Sequence, residues 1–200
     1  LAPRYSKTSL SSSSSVARVS RDGVGLYYEQ AGSGETVAFV GEAGYGAWQW
    51  GWQHAAVAGP FEALVWDLRG TGRADAPADS GEIDTLAAGL EAVRSDSEAR
   101  RAHLVGAGLG GMVALRHARE YDRTATLSLF GTAPGAAIDE DAFRALHAED
   151  EEGLRESLAG AFSESFRDRE IIEQICEWRA QEDASAVAFD AQATAALDFE

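Results

Sequence analysis

His103-Leu104-Val105-Gly106-Ala107-Gly108-Leu109-Gly110-Gly111-Met112 is the stretch whose reading decides the fold. It opens on a short β-prone run, His103–Val105, and passes through four glycines within residues 106–111. It then continues into Met112–Glu120, which reads as a helix. A strand that turns through glycine into a helix is the repeating unit of sheets covered by helices. Glycine suits such a turn because it adopts positive φ without penalty and lets two backbones approach closely.

The pattern extends in both directions. Upstream, Gly25–Glu29 reads as a short strand followed by a turn at Ala31-Gly32-Ser33-Gly34, and Thr36–Val40 as a strand buried on both faces. A Gly-rich loop follows, Gly41-Glu42-Ala43-Gly44-Tyr45-Gly46, and then tryptophans at 48, 50 and 52. Phe61–Trp66 is the next buried strand and opens into Asp67-Leu68-Arg69-Gly70-Thr71-Gly72-Arg73. Ile83, Leu86, Ala87, Leu90 and Val93 recur at helical spacing, so 82–94 is an amphipathic helix. Downstream, Thr126–Phe130 is a further apolar strand.

After Pro134 the pattern becomes helical, with no convincing strand from Asp139 to Glu200. Its clearest helix is 169–180, where Ile171, Ile175 and Trp178 share a face opposite Glu173, Glu177 and Arg179. The expected fold class is α/β, a mostly parallel sheet with helices on both faces and a helical cap. Three parts are expected: a disordered tail at 1–20, with Ser11 to Ser15 in a row; a core at 21–134; and a cap segment at 135–200.

Composition narrows the classes of function. The formal net charge is −16, with 33 acidic residues against 17 basic ones, which argues against nucleic acid and anionic membranes as partners. Eighteen of the acidic residues fall within 139–200, so much of the cap surface is solvated carboxylate. Lys7 is the only lysine. A halophilic surface explains that balance, and so does a GC-rich genome that favours arginine. No apolar run is long enough to span a bilayer, and the start of the chain has no apolar signal region. A single cysteine, Cys176, fits a reducing compartment, so a soluble cytoplasmic protein is expected. The spacings of His54, His103, His117 and His147 fit no metal motif, and neither metal nor cofactor is expected.

The strand–turn–helix at 103–112 has the context of the nucleophile elbow Gly-x-Ser-x-Gly. With the strand-loop at 36–52, the Asp67–Arg73 stretch and Gly131-Thr132-Ala133-Pro134, it resembles the α/β-hydrolase superfamily in its small-esterase and peroxidase-like branch. The resemblance covers residues 21–200 and implies an ester-type hydrolase built on a serine, histidine and acid triad. The nucleophile position falls on Gly108, which has no side chain. The His-Gly pair ahead of the family's oxyanion loop falls on Gly41-Glu42, and the two oxyanion-binding backbone N–H groups fall on Ala43 and Leu109. Glu42 beside such a hole is expected to repel a developing negative charge unless its side chain turns away. The family's acid and histidine come after the cap, whereas this sequence reaches Glu200 still within it.

Gly41, Glu42, Trp48, Gly108 and Leu109 are therefore the candidate lining of a ligand pocket, and no residue is expected to be catalytic in the usual way. Asp67 and Arg69 are expected to brace the loop after their strand, the tryptophans to pack the Gly-rich loop, and Cys176 to be a packed core thiol. Three readings follow: a non-catalytic protein that binds a small apolar or acyl-type ligand, an enzyme with another group in place of serine, or an inactive truncated fragment. If two strands that the resemblance implies beside 126–130 are missing, that strand is an open edge and the chain self-associates.

Overall fold

The computed structural model describes residues 14–77, 81–158, 162–167 and 170–200. Six strands form one sheet: β1 (Ser14–Arg21), β2 (Val24–Gly32), β3 (Thr36–Val40), β4 (Glu62–Trp66), β5 (Ala102–Ala107) and β6 (Thr124–Phe130). Their order across the sheet is β1-β2-β4-β3-β5-β6. β1, β2 and β4 run antiparallel in turn, while β4, β3, β5 and β6 are mutually parallel. The central register sets Phe39 of β3 against Val65 of β4 and Val105 of β5.

Side chains alternate between the two faces of these strands, so each strand feeds two cores. Ala38, Val40, Leu64, Trp66 and Leu104 pack with Leu86, Leu90 and Val93 of α2 (Ile83–Asp96) and with Met112 and Val113, after α1 (Gly51–Val57) in chain order and in α3 (Leu109–Glu120). Phe39, Ala63 and Val65 point the other way, onto Ala47, Trp50 and Val57 at a short 3₁₀ turn (Ala47–Trp50) and α1. Burial on both faces explains why β3 and β4 read as continuous apolar runs.

The tail expected at 1–20 is corrected in part: Ser14–Arg21 is a strand, and residues 1–13 lie outside the described residues. β1 pairs with β2 from Ser14↔Ala31 to Arg21↔Val24. The two strands are joined by Asp22-Gly23, both at positive φ (52° and 79°), a two-residue turn whose twist matches that of the strands it joins. Elsewhere β3 matches the sequence reading, β4 starts one residue later than read, and β2, β5 and β6 run a few residues beyond it. The helix after the glycine turn begins at Leu109, directly after Gly108.

Beyond Pro134 come α4 (Glu140–Arg144), α5 (Glu151–Ser157), α6 (Glu164–Arg167), α7 (Glu170–Glu182) and α8 (Ala186–Leu197). Here α7 departs from expectation. Its buried residues are Ile172, Ile175, Cys176 and Arg179, so the face is rotated by about one residue and takes in an arginine read as solvent-facing. The guanidinium is compensated. Nε donates to Asp183 Oδ2 at 2.7 Å, Nη2 to the Leu146 carbonyl at 2.7 Å and Nη1 to Ser157 Oγ, and the group lies 4.7 Å from the Tyr45 ring centre. A buried charge with this many partners tolerates loss of water. No helix among the described residues is long and apolar enough to cross a membrane.

Arg179→Ala leaves the buried Asp183 carboxyl without its counter-charge and should cost about 3–5 kcal/mol of stability, read from urea unfolding. Replacing both partners at once, Arg179→Met with Asp183→Leu, should cost clearly less than the single change. Equal losses would mean that the charge pair is not what holds α7 in place.

Candidate functional site at the glycine turn

β3 and β5 are neighbours, with Val40 opposite Gly106, so their carboxyl ends open side by side. The Gly41–Gly46 loop therefore faces the turn at Gly108. Gly108 has φ 49° and ψ −115°, in the region where a side chain strains the backbone. Its N–H donates to the Phe130 carbonyl at 2.9 Å, which ties the turn to the end of β6. Its carbonyl accepts from Gly111 N at 3.0 Å and Thr132 Oγ1 at 3.2 Å. Gly110 lies so close to the Val40 carbonyl that a Cβ there would overlap it.

The opposite loop is held from below by Asp67, which is fully buried. Its Oδ1 accepts from Ala47 N at 2.7 Å, and its Oδ2 from Arg73 N at 3.0 Å. Burial pushes the Asp67 carboxyl up, and these donors together with the Arg73 charge hold it down. Arg73 also donates to Glu29 Oε1 at 2.8 Å and to the Tyr27 hydroxyl at 2.7 Å. The structure thus shows Asp67 as a loop brace, while Arg69 offers its carbonyl to Gln192 Nε2 at 2.9 Å.

Glu42 decides the chemistry of the site. Its N–H donates to Gln49 Oε1 at 2.9 Å, and its side chain turns inward toward Gly108. Oε1 accepts from Ala43 N at 2.7 Å and from Leu109 N at 2.9 Å. These are the two backbone donors that the sequence assigned to an oxyanion hole, and a carboxylate of the chain itself accepts from both. The space a side chain at 108 would need is taken as well: a Cβ built on Gly108 overlaps Oε1, Cδ and above all Oε2. The sequence expected repulsion or a side chain turned away. Instead the carboxylate is itself the anion that the two N–H groups bind. Burial pushes the Glu42 carboxyl above its ordinary range, opposed by the two N–H donors.

The cap closes over this loop. Gly44 N donates to Gln192 Oε1 at 2.7 Å, Ala184 N donates to the Gly44 carbonyl at 2.7 Å, and the Phe189 ring packs where a Cβ of Gly44 would stand. Trp48 Nε1 donates to Asp183 Oδ1 at 2.9 Å, and its ring lies 5.4 Å from that of Tyr45 and 6.3 Å from that of Trp178. Trp50 packs on Phe39 at 5.2 Å, while Trp52 is exposed. An open cleft of about 850 Å³ lies elsewhere, between the start of α2, Arg116 of α3 and α8. Glu82, Asp84, Asp190 and Asp198 line it, and neither Glu42 nor Gly108 does.

The histidines have partners away from the turn. His54 bonds the Ala63 carbonyl at 3.1 Å, His103 bonds Thr126 Oγ1 at 2.8 Å and His117 bonds Glu91 Oε2 at 3.0 Å, while His147 stacks on Phe189. Burial pushes the Cys176 thiol up, which disfavours the thiolate. No group of three or more potential metal ligands occurs among the described residues. The sequence reading missed Gln49, Thr132, Asp183 and Gln192. The last two reach the loop from more than 130 residues away, and no local pattern announces them.

The sheet order, the glycine turn and the paired backbone donors define an α/β-hydrolase core. A sequence profile of the Alpha/beta hydrolase family matches residues 37–199, and the chain belongs to that family. The uncharacterized protein Rv2715 of Mycobacterium tuberculosis is 28% identical over 109 residues, 54% of this chain and 32% of that protein, so the match spans about a third of the curated relative. Among solved structures, Est816, described as an N-acyl homoserine lactone degrading enzyme, is 26% identical with TM-score 0.74, over 88% of this chain and 70% of that one. A hydrolase from Pseudomonas aeruginosa is 23% identical with TM-score 0.76, over 92% of this chain and 73% of its own. The enol-lactonase of Burkholderia xenovorans is 22% identical with TM-score 0.74, over 92% and 75%.

Steric coupling between Gly108 and Glu42 is directly measurable. Gly108→Ala should cost more than the roughly 1 kcal/mol expected from conformation alone, because the new methyl displaces the carboxylate. In the Glu42→Ala background the same change should cost less, with a coupling of about 0.5–3 kcal/mol in a double-mutant cycle of denaturant midpoints. Strict additivity would mean that the two residues do not share this space.

Proposed function

We propose that this member of the family does not carry out serine-type hydrolysis, and that the site at Glu42 and Gly108 serves a small apolar or acyl-type ligand. One observation carries the reading. The position that would hold the nucleophile has no side chain, and the Ala43 and Leu109 donors are occupied by Glu42 Oε1. An acyl substrate needs both a nucleophile and an empty hole for its developing oxyanion. The partners of the four histidines support the same reading, since none of those contacts poises an imidazole beside Gly108. A second reading keeps catalysis with a group other than serine, and Glu42 is the observation that favours it. The acidic composition fits a halophilic, cytoplasmic setting and is part of the same proposal.

The ester test is direct. Hydrolysis of p-nitrophenyl acetate should not exceed the residual ~10³–10⁴-fold advantage over water that serine hydrolases retain without their triad. A fluorophosphonate probe should leave every serine unlabelled. Stoichiometric labelling of a serine, or fast turnover, would overturn the reading.

The free edge of the sheet adds a proposal about assembly. β6 pairs with β5 alone among the described strands, carries no charge from Thr124 to Phe130, and exposes Leu127, Leu129 and Phe130. Such an edge pairs readily with another strand. We infer that this chain self-associates there, more strongly at high salt, where the repulsion of its net charge of −16 is screened. Sedimentation velocity should show association that rises with salt and falls in Leu127→Lys. A single monomer species at every salt concentration would contradict it.

A further inference from the structure

One corner of the cap, where α7 ends and α8 begins, sits on two loops of the core. The Glu182 carbonyl accepts from Gly72 N at 2.8 Å, and Ala184 N donates to the Gly44 carbonyl at 2.7 Å. Glu182 also packs so closely on Gly46 that a Cβ there would overlap it. The corner therefore spans the loop after β3 and the loop after β4.

Charge is out of balance under this corner. Arg73 bonds Glu29 Oε1 at 2.8 Å, lies 3.4 Å from Asp67 Oδ2 and attracts Glu182 across the contact. Glu29 has the Tyr27 hydroxyl as a second donor, and Asp67 has the backbone N–H groups of Ala47 and Arg73. Glu182 has no such help. Its Oε2 is sealed from solvent and accepts no hydrogen bond from the described residues. The other guanidinium at the junction, Arg179, is paired with Asp183, which is a further carboxylate beside Glu182. From the loop after β3, the Tyr45 ring lies against Arg179, and burial pushes its hydroxyl up, away from ionisation. Glu182 is thus the acid whose ionised form is least satisfied, and the proton that relieves the imbalance belongs on it. Burial pushes its carboxyl up, Arg73 opposes the rise, and Asp67, Glu29 and Asp183 add to it.

We propose that this corner is a proton-operated clasp between cap and core. With a proton on Glu182, the corner stays seated on Gly44, Gly46 and Gly72. Loss of the proton leaves an ionised carboxylate among Asp67, Glu29 and Asp183 without a donor, and the corner lifts to let water reach it. The corner and α8 lift together. That breaks the two corner bonds and the Gln192 bond to Gly44 N, and takes Phe189 away from Gly44. The loop that carries Glu42 is then uncovered. The clasp rests on the cap contacts alone, so it stands or falls apart from the ligand of the Glu42 site.

The sign follows from linkage. A carboxyl that is raised in the seated cap and ordinary in the lifted one stabilises the contact fully below the ordinary carboxylate range. That stabilisation is lost as pH rises through the seated-state value. One proton leaves, so the opening equilibrium changes by at most about tenfold per pH unit.

Digestion with thermolysin reads the lifted state, because cleavage of a native protein tracks the population of its open form. Phe189 is buried, so a cut before it requires the corner to lift. Wild type and Glu182→Gln are compared at each pH, which cancels the pH dependence of the protease, and the cuts are mapped by mass. The expected result is that wild-type cutting before Phe189 gains on that of the variant from mildly acidic to neutral pH. The gain should reach up to about tenfold per unit and then level off. A ratio that is flat with pH overturns the clasp. In the wild type alone, the Glu182 Cδ resonance should titrate above the ordinary carboxylate range, at the pH where the gain levels off. A midpoint within the ordinary range overturns the clasp too, even if Glu182→Gln folds poorly.

Discussion

The backbone at Gly108 is the constraint around which the rest is arranged. A turn with φ 49° between β5 and α3 aims the first N–H of the helix at the neighbouring loop and brings the helix onto the end of β3. Residue 108 has to be small for the backbone to adopt that angle without strain. Once it is glycine, the volume above it is free, and a volume beside two converging N–H groups favours an anion. Glu42 supplies that anion from the opposing loop. The glycine and the glutamate are complementary in shape and in charge, although 66 residues of chain separate them.

Much of this was legible in the sequence for physical reasons. Strands buried on both faces leave uninterrupted apolar runs, as in Thr36–Val40. The close approach of Gly110 to the Val40 carbonyl admits no side chain, so the glycine cluster marks the turn in any reading. The pairing of the Ala43 and Leu109 N–H groups was legible too, since backbone N–H groups follow from position alone, and both meet at Glu42 Oε1. Less legible was the side-chain direction. Charge alone predicts that Glu42 should avoid the hole as a neighbour, and only coordinates reveal that it enters as a ligand. Arg179 was misread for a related reason: periodicity assigns arginine to the wet face, while its partners Asp183, Ser157 and Leu146 are scattered along the cap. The strand Ser14–Arg21 was read as tail because its serines carry little apolar surface, although Asp22-Gly23 was a turn signal in plain view.

Acidity in this chain works at two scales. On the surface of the cap, carboxylates are solvated or lie in exposed ion pairs such as Arg144–Asp190, which contribute little to stability. In the interior a few of them organise the backbone. Asp67 fixes the loop through Ala47 N, Asp183 joins Trp48 to Arg179, and Glu42 joins Ala43 N to Leu109 N. Burial raises all three carboxyls above their ordinary range, and donors on neighbouring segments oppose the rise.

Gln192 gives the cap a particular mechanical role. Through one side-chain amide it receives Gly44 N–H and donates to the Arg69 carbonyl, so α8 is latched to the two loops that follow β3 and β4. The Ala47 amide, a few residues further along the same loop, is held by Asp67 of the sheet domain and not by the cap. The two amides therefore report different events. Solvent exchange at Gly44 times the lifting of the cap helix, while exchange at Ala47 times the loosening of the core beneath it. If the Gly44 proton exchanges faster, the cap moves as a unit over a standing core. If both exchange together, cap and core open as one body.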